Sequence, residues 1–256
     1  MIVVPETVVR THELSASLGG RTILEEISIE AKRGEITVII GGSGCGKTTL
    51  LKHLIGLYPV RQGRIEVLGR DLHNIDERDW SELYQQIGVM YQNGALLNSM
   101  TVGDNICLPL EQHTRLPMPL RRRVAHMKLQ LVGLGHVMEN YPSELSGGMI
   151  KRAALARAIV MDPPLLLCDE PGAGLDPQSL QALDRLLLNL RDTLGISIIL
   201  VTHELASIRR LADRLVFLDA GRVLFQGSLT EADRNDQPAL RAFFEADSVV
   251  ESESTP

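Results

Sequence analysis

The stretch from Ile36 to Leu51, ITVIIGGSGCGKTTLL, combines residue types that could bind a phosphate group. Its apolar, β-branched start predicts a strand over 36–40 that is buried on both faces of a parallel sheet. The glycine-rich segment that follows suits neither a strand nor a helix, and Lys47 begins a predicted helix. Glycines allow several backbone N–H groups to point at one anion, and a helix N-terminus adds partial positive charge there. The order of strand, loop and helix fits the phosphate-loop pattern G-x-x-x-x-G-K-[ST].

The residues of this loop have separate predicted roles. Lys47 would neutralise the outer phosphates of a nucleotide, and the Thr48 hydroxyl, beside Thr49, would hold a magnesium ion, which prefers hard oxygen ligands. Cys45 lies near a lysine and a helix N-terminus, which favour a thiolate; an inert, buried thiol is the alternative. A plain glycine turn with a solvated lysine is the alternative for the whole stretch, but its context favours a nucleotide site. The predicted backbone cradle consists of Gly41, Gly42, Ser43, Gly44, Cys45 and Gly46.

Length and composition narrow the function further. A chain of 256 residues can form one large α/β domain, with or without an inserted lobe. A net charge of −6 argues against broad nucleic-acid binding, which needs a basic face. No apolar run approaches the ~20 residues needed to span a bilayer, and the first residues lack a signal-peptide pattern, so we expect a soluble, unsecreted protein. The three scattered cysteines fit a reducing compartment better than a disulfide framework.

Hydrophobic periodicity and turn residues predict the elements that position the loop. Short alternating strands over 7–68 predict a small antiparallel sheet, and residues 93–160 predict a helical lobe. Further predicted elements are a helix over 77–86, strands over 87–91, 165–168 and 196–201, helices over 149–161 and 179–194, a hairpin of 214–218 with 223–225, and an acidic, disordered tail over 247–256.

One predicted helix of the lobe carries an apolar stripe next to an arginine run. Its apolar residues follow i, i+4, i+7 and i+11, which predicts an amphipathic helix. We interpret the run as a solvated face rather than a binding site. The stripe is Leu120, Val124, Met127 and Leu131, and the run is Arg121, Arg122 and Arg123.

Polar residues follow several of the predicted apolar strands. In an open parallel sheet, ligands bind at the carboxyl ends of the strands. Asp169 would orient magnesium there, and Glu170 would accept a proton from the attacking water, a role worth ~10²–10⁴-fold in rate. Gln92 and His203 follow two other strands. Each has a structural alternative, since an Asp-Glu pair can cap a loop and a lone Gln or His is usually structural. Their joint occurrence favours a nucleotide site.

Taken together, these residues resemble the nucleotide-binding subunit of ABC transporters over nearly the whole chain. Six motifs occur in the order of that family: GGSGCGKTT as Walker A, YQNGALL as the Q-loop, ELSGGMIKR as the signature, LLLCDEP as Walker B, GLDP as the D-loop and VTHEL with the switch histidine His203. The resemblance implies an α/β P-loop NTPase, an ABC domain over 1–246 with an antiparallel β subdomain and a helical lobe. It implies ATP and Mg²⁺ as ligands, with Gln92 serving both catalysis and the metal.

The resemblance also implies an assembly. Two copies would form a head-to-tail homodimer around two ATP molecules, with Ser146, Gly147 and Gly148 of one copy closing on the γ-phosphate held by the other. Asp176 of the D-loop would also contribute to nucleotide binding. Gln92 and the helices after it would pass motion to an integral-membrane permease. The protein would therefore be peripheral, at the cytoplasmic face of the inner membrane.

Two longer stretches are similar to the ATPases of Mla/Mce phospholipid transport systems, which maintain outer-membrane lipid asymmetry. These are YQNGALLNSMTVGDNICLPLEQHTRLP and PSELSGGMIKRAALARAI, where Met149 replaces the usual glutamine. The implied partners are a permease, an Mce-domain lipid carrier and a STAS-domain adaptor. Leu18 stands where most ABC ATPases have an aromatic residue that stacks on adenine.

Two other functions remain open. The first is an ABC subunit that signals mechanically through a membrane partner, as in the cell-division complex. The second is a soluble ABC protein of DNA repair or translation, which ranks last because this chain has neither an inserted coiled coil nor a second cassette.

Overall fold

The computed structural model describes residues 6–245, and the tail predicted over 247–256 lies outside them. The described residues form an α/β protein. Its strands are β1 Thr7–Leu18, β2 Arg21–Ile27, β3 Glu30–Lys32, β4 Ile36–Gly41, β5 Gln62–Val67, β6 Arg70–Asp71, β7 Ile87–Met90, β8 Leu165–Asp169, β9 Ser197–Val201, β10 Arg214–Asp219 and β11 Arg222–Gly227.

Helices occupy most of the remaining described chain. They are α1 Lys47–Leu54, α2 Glu77–Tyr84, α3 Val102–His113, α4 Met118–Leu131, α5 Gly147–Ala158, α6 Pro177–Leu194, α7 Leu205–Leu211, α8 Leu229–Asp233 and α9 Pro238–Glu245, with short 3-10 turns at Gly135–Val137 and Pro142–Glu144. Among residues 6–245, none of these helices has both the length and the apolar character that crossing a bilayer requires.

The described chain divides into two compact units. The first unit contains residues 6–76 and 199–245, and the second contains residues 77–198, so that the boundary falls within β9. The first unit contains the predicted antiparallel sheet, with the strand order β2-β1-β5-β6 and β3 paired to β1. In the same unit, β10 pairs in parallel with β4 and forms the predicted antiparallel hairpin with β11.

The end of β4 explains why the phosphate loop begins with a glycine. All six residues of β4 are buried, and the Ile36 N–H donates to Asp213 Oδ2 at 2.7 Å, which anchors the start of the strand. The register places Gly41 opposite Leu218 of β10. A Cβ at residue 41 would lie only 2.1 Å from the Leu218 carbonyl oxygen, and its φ is +148°. Only glycine fits at this point.

In the second unit, β7 and β8 pair in parallel, and the helical lobe follows β7. Helices α3, α4 and α5 pack against one another. The last turn of α5 lies close to β7, since a Cβ at Gly88 would lie 2.4 Å from the Ala158 carbonyl oxygen. This approach joins the helix that follows Ser146 to the strand that precedes Gln92. The lobe predicted over 93–160 contains α3, α4 and α5.

The predicted apolar stripe of α4 is not its buried side. Leu120 and Met127 are 42% and 57% exposed. The residues that α4 and its C-terminal cap bury are Ala125, Lys128, Leu129 and Val132. The predicted helix is confirmed, but its buried face is not the apolar stripe that the sequence indicated. The small side chain of Ala125 lets the neighbouring helices come close, and Lys128 can bury its aliphatic stem while its ammonium pairs with Asp162.

The arginine run before this buried stripe is largely paired within the lobe. Arg121 lies 3.2 Å from Glu111, and its side chain is only 15% exposed. Arg122 pairs with Asp104 at 3.2 Å and also with Glu139. Arg123 is exposed, as a solvated face predicts. Two of the three arginines therefore tie α4 to its neighbours rather than to solvent.

A buried asparagine shapes the loop between Gln92 and α3. Asn105 has no exposed surface. Its Oδ1 accepts from the Leu97 N–H at 2.7 Å, and its Nδ2 donates to the carbonyls of Leu97 and Thr101, each at 3.0 Å. Thr101 also caps α3, because its hydroxyl oxygen accepts from the Asp104 N–H at 3.1 Å. One side chain thus satisfies several backbone groups of a loop that has no regular structure of its own.

We expect Asn105→Ala to lower the free energy of unfolding by about 2–4 kcal/mol, because several buried backbone groups lose their partner. Urea denaturation of the full chain measures this change. Gln112→Ala is the matched control, since Gln112 is exposed on the same helix, and its effect should stay within about 0.5 kcal/mol. Equal effects of the two substitutions would contradict the role given to Asn105.

Candidate nucleotide-binding site

The phosphate loop of the first unit has a backbone shape that its own packing imposes. A Cβ at Gly46 would lie 2.6 Å from Leu24 Cδ2, and the φ of this residue is +110°. Gly46 is also the N-cap of α1, and it has no side chain with which to cap the helix. The start of α1 thus lacks a side-chain cap, and the helix dipole favours an anion there. Gly42, in contrast, would accept a Cβ without a described atom within 4 Å, so packing does not require glycine there.

Lys47 folds back over this loop. Its ammonium donates to the carbonyls of Gly41 at 2.7 Å and Gly42 at 2.9 Å, and lies 3.8 Å from Cys45 Sγ. The structure thus brings Lys47 together with three residues of the predicted cradle. Carbonyl oxygens carry only partial negative charge, so a phosphate group would be the stronger partner for this cation.

The thiol of Cys45 does not have the character that the neighbouring lysine suggested. Cys45 is 7% exposed, and burial raises the pKa of its thiol, with Lys47 acting more weakly in the opposite direction. The expected thiolate was therefore wrong, and the alternative of a buried thiol describes this residue. Proximity to a cation is visible in the sequence, whereas the larger cost of removing a charge from water is not.

The other predicted residues of the first unit lie near its surface. Ser43 and Thr48 are exposed, and Thr49 is half-buried. Leu18 is the last residue of β1, opposite Arg21, and is 40% exposed, so an apolar surface is available there. His203 follows β9, and its Nε2 lies 3.9 Å from Glu204 Oε1.

In the second unit, the Asp-Glu pair stands where β8 ends. Asp169 is the last residue of the strand, and Glu170 is the first residue after it. The φ of Glu170 is +48°, a left-handed conformation that non-glycine residues rarely adopt. Such strain persists only where the surroundings enforce it, and it is common at functional sites. The strained residue is the one to which the sequence assigned the proton-accepting role.

Gln92 lies in the loop after β7 and is exposed, but its backbone is fixed. The buried ammonium of Lys151 in α5 donates to the Gln92 carbonyl. Arg157 of the same helix donates to the carbonyls of Gly94 at 2.9 Å and Ala95 at 2.7 Å. Both cations lie in the quoted motif stretches, but the sequence assigned no role to either. A lysine inside a helix of buried alanine and leucine residues could have drawn attention, because a buried charge needs a partner.

The predicted signature residues form the start of α5. Ser146 is its N-cap, and the Ser146 hydroxyl oxygen accepts from the Met149 N–H at 3.4 Å. A Cβ at Gly147 would have no described atom within 4 Å, and one at Gly148 would lie 3.2 Å from Ser179 Oγ. The fold described for residues 6–245 therefore gives no packing reason for glycine at 147.

Asp176 has a structural role in the described chain. Its Oδ1 accepts from the N–H groups of Gln178 at 3.1 Å and Ser179 at 3.0 Å, which caps α6. These hydrogen bonds, those of Ser179 first, lower the pKa of Asp176. Its carboxylate is therefore ionised and oriented.

The predicted ligand set fits magnesium chemically. It comprises a hydroxyl from Thr48, a carboxylate from Asp169 and an amide oxygen from Gln92, all of which are hard oxygen donors. Thr48 belongs to the first unit and Asp169 and Gln92 to the second, and their roles toward nucleotide and metal stay predictions.

Comparison with known proteins gives consistent matches. The family model described as ABC transporter matches residues 24–173. The methionine import ATP-binding protein MetN of Geobacillus kaustophilus is 39% identical over 246 residues, which cover 96% of this chain and 71% of MetN. The intermembrane phospholipid transport system ATP-binding protein MlaF of Escherichia coli K12 is 38% identical over 237 residues, which cover 91% of this chain and 87% of MlaF.

Solved structures agree with these matches. The dimeric structure of a post-hydrolysis state of the ATP-binding cassette MJ0796, bound to ADP and Pi, has a TM-score of 0.79 at 27% identity. The match covers 86% of this chain and 98% of that one.

We expect Cys45 to react with a maleimide at pH 7 at least about tenfold more slowly than a free thiol, since its raised pKa keeps it protonated. The rate should rise as the pH increases, because the thiolate then forms. Mass spectrometry of the labelled chain measures the rate. Cys45→Ser is the control, because it shows how much label reaches the other two cysteines, Cys107 and Cys168, which are also buried. Rapid labelling that Cys45→Ser abolishes would contradict this expectation.

Proposed function

The chain belongs to the ABC transporter family, and we propose that it energises phospholipid transport in a system of the Mla/Mce type. As a member of this family it is the ATP-binding and ATP-hydrolysing subunit of an ABC transporter. Cassettes of the family act as dimers with a membrane permease. The proposal concerns what this ATPase moves and how its residues share the work.

One observation carries the phospholipid proposal. The stretches that resemble Mla/Mce ATPases lie largely in the helical lobe, over 91–117 and 142–159, and include Met149 of the signature. The lobe is the part through which the family engages its permease, so resemblance there bears on the choice of partner more than resemblance in the phosphate loop does. The identity to MlaF proteins, 37% to 38% over most of the chain, supports the same choice.

Phosphate binding rests on the loop before α1. Lys47 moves from the carbonyls of Gly41 and Gly42 to the outer phosphates, and the N–H groups of the loop and of the first turn of α1 bind phosphate oxygens. Leu18 contributes apolar surface to the adenine. The loop thus holds the triphosphate through backbone groups that its own packing has already fixed.

Hydrolysis rests on the strand end at β8. Glu170 accepts the proton of the attacking water from a backbone position in the left-handed region. Asp169, Thr48 and Gln92 would hold Mg²⁺, which would supply positive charge to the phosphates. His203 contacts the γ-phosphate and distinguishes ATP from ADP. None of these roles requires a residue outside this chain.

The signature segment acts on the nucleotide of the second copy. Ser146, Gly147 and Gly148 bring the start of α5 to the γ-phosphate, where the helix N-terminus favours negative charge. Asp176, ionised and held at the start of α6, lies in the D-loop and contributes to the same interface. ATP then joins the two copies, and its hydrolysis separates them.

The proposed partners follow from the Mla/Mce assignment. A polytopic permease would bind at Gln92 and the lobe, an Mce-domain protein would carry lipid, and a STAS-domain adaptor would bind the ATPase. The ATPase would then be peripheral, at the cytoplasmic face of the inner membrane. The second candidate is methionine import, which MetN favours at 39% identity over 96% of this chain.

Transport is tested with the complex purified in mild detergent and reconstituted with a labelled phospholipid. We expect transfer that requires ATP and Mg²⁺ in the wild type and is nearly lost in Lys47→Ala and Glu170→Gln. Glu170→Gln should still bind ATP and accumulate as a dimer in light scattering, with turnover reduced ~10²–10⁴-fold. Transfer independent of ATP in all three proteins would contradict lipid transport. ATP-driven methionine uptake in the same vesicles would favour the second candidate, and a co-purifying division protein would favour mechanical signalling.

Gly147→Ala separates the signature role from the fold. Alanine should stabilise the chain by about 0.4–1 kcal/mol, because its Cβ meets open space in a helix where glycine is unfavourable. The same methyl group should reduce ATPase turnover and ATP-dependent dimerisation, because it would lie between the start of α5 and the partner's phosphate.

Thermal unfolding, turnover and light scattering on the same preparation measure the three quantities. Gly42→Ala is the matched control, because a Cβ at residue 42 also meets open space but lies in the phosphate loop. This variant should change the affinity for ATP and leave the signature contact intact. A Gly147→Ala protein that is more stable and fully active would contradict the signature role.

A further inference from the structure

Helix α5 contains a buried cation that lies within the signature motif but to which the sequence assigned no role. Lys151 is 7% exposed, and its ammonium donates to the backbone carbonyl of Gln92. The two residues are 59 positions apart in the chain. A charge-assisted hydrogen bond to a backbone carbonyl fixes the main chain and leaves the side chain of Gln92 exposed toward solvent. The contact therefore fixes the position of the Gln92 backbone and leaves its side chain able to bind a ligand.

A second cation extends this contact along the loop. Arg157, one and a half turns further along α5, donates to the carbonyls of Gly94 and Ala95. Between the two cations, Gly94 packs directly on the helix. A Cβ there would lie 3.2 Å from Ile150 Cγ2 and 3.3 Å from Ala154 Cβ, and its φ is +71°. One helix thus binds three carbonyls of the segment over 92–95, and close packing leaves the segment little freedom.

Lys151 also lies near the end of β8. Burial lowers the pKa of Lys151, and the Glu170 carboxylate acts in the opposite direction, so its ammonium is within electrostatic range of that carboxylate. Desolvating a lysine is costly unless its donors are satisfied. Lys151 is therefore desolvated beside two segments to which catalytic roles are proposed, one containing Gln92 and the other Glu170.

We infer that Lys151 is a positioning residue for ATP hydrolysis, which fixes the backbone of Gln92 on α5 so that the Gln92 side chain reaches the nucleotide and metal in a single geometry. The inference rests on the proposed role of Gln92 and adds a residue to it. Because α5 begins at the signature segment, the same helix that presents Ser146 to one nucleotide sets the position of Gln92 for the other.

The consequence should appear in turnover rather than in nucleotide affinity. Most binding contacts are proposed for the phosphate loop, which belongs to the other unit. A displacement of about 1 Å in a positioning group can cost up to ~10²-fold in rate. We therefore expect Lys151→Met to lower kcat by about 10- to 100-fold and to leave the ATP dissociation constant within about twofold. Lys151→Arg, which keeps a long cationic donor, should recover most of the lost turnover.

Lys128→Met is the matched control for the loss of a buried lysine. Lys128 is 9% exposed, belongs to the same lobe and pairs with Asp162, away from the segment over 92–95. Its replacement should lower the melting temperature while turnover of the folded protein stays within about twofold. If Lys151→Met does not fold, Lys151→Gln, whose amide still provides donors, takes its place in every measurement.

A double-mutant cycle with Gln92→Ala decides the route, using the full chain in its purified complex. Gln92→Ala removes the side chain but retains the carbonyl to which Lys151 donates. If Lys151 acts through Gln92, then Lys151→Met should lower kcat by less than about threefold in the Gln92→Ala background. The two losses multiplying in full would overturn the inference and point to Glu170 as the route, with the role of Gln92 intact. Near-normal turnover of Gln92→Ala alone would overturn that role and this inference with it.

Discussion

The phosphate loop depends on how closely β10 approaches the end of β4. The carbonyl oxygen of Leu218 occupies the space where any side chain at residue 41 would have to begin, so the chain can leave β4 only through a glycine. The loop then brings Cys45 Sγ within 2.8 Å of the same position, and Gly46 turns into α1 against Leu24. Close packing, which is felt at the scale of a single methyl group, therefore shapes the anion site before any ligand is bound.

A different constraint organises the second unit, where one helix carries buried charge. The buried side of helix α5 consists mainly of alanine, and the helix packs on β7 through Gly88. A cation on that side therefore needs a polar partner. Lys151 and Arg157 are satisfied by backbone carbonyls of the loop after β7 rather than by carboxylates. Such partners do not change with the side-chain sequence of the loop. These hydrogen bonds therefore couple the position of the loop to that of the helix.

The sequence predicted those features that depend on the local residue pattern. Buried strands such as β4 and β9 were found because a parallel sheet requires an unbroken apolar run. The start of α6 was placed later than observed: the helix begins at Pro177 rather than at residue 179, because Asp176 provides the cap. The buried face of α4 differs from its apolar stripe because periodicity counts only apolar residue types. It cannot show that Ala125 and the stem of Lys128 allow closer packing than Leu120 and Met127 do.

Features that depend on distant contacts were not predictable from motifs. Lys151 meets a backbone carbonyl 59 residues away, and a carbonyl has no sequence signature. For Cys45, the neighbouring Lys47 was visible, whereas the burial that raises the pKa of the thiol is a property of the folded unit. The Asn105 contacts belong to the same class. They satisfy main-chain groups, which every residue type presents, so the side chains of the loop give no sign of them.

The two helix starts assigned to phosphate differ from other helix starts in how well their N–H groups are satisfied. Asp176 accepts from two N–H groups at 3.0 and 3.1 Å at α6, and Ser228 forms a capping box with Glu231 at α8. Helix α1 begins at a glycine, and the cap of α5 is one hydrogen bond of 3.4 Å from Ser146. Unsatisfied N–H groups at a helix start cost free energy unless water or an anion meets them. A phosphate therefore stabilises the starts of α1 and α5 more than it would the start of α6. The two proposed phosphate contacts therefore lie at the helix starts whose N–H groups the described side chains satisfy least.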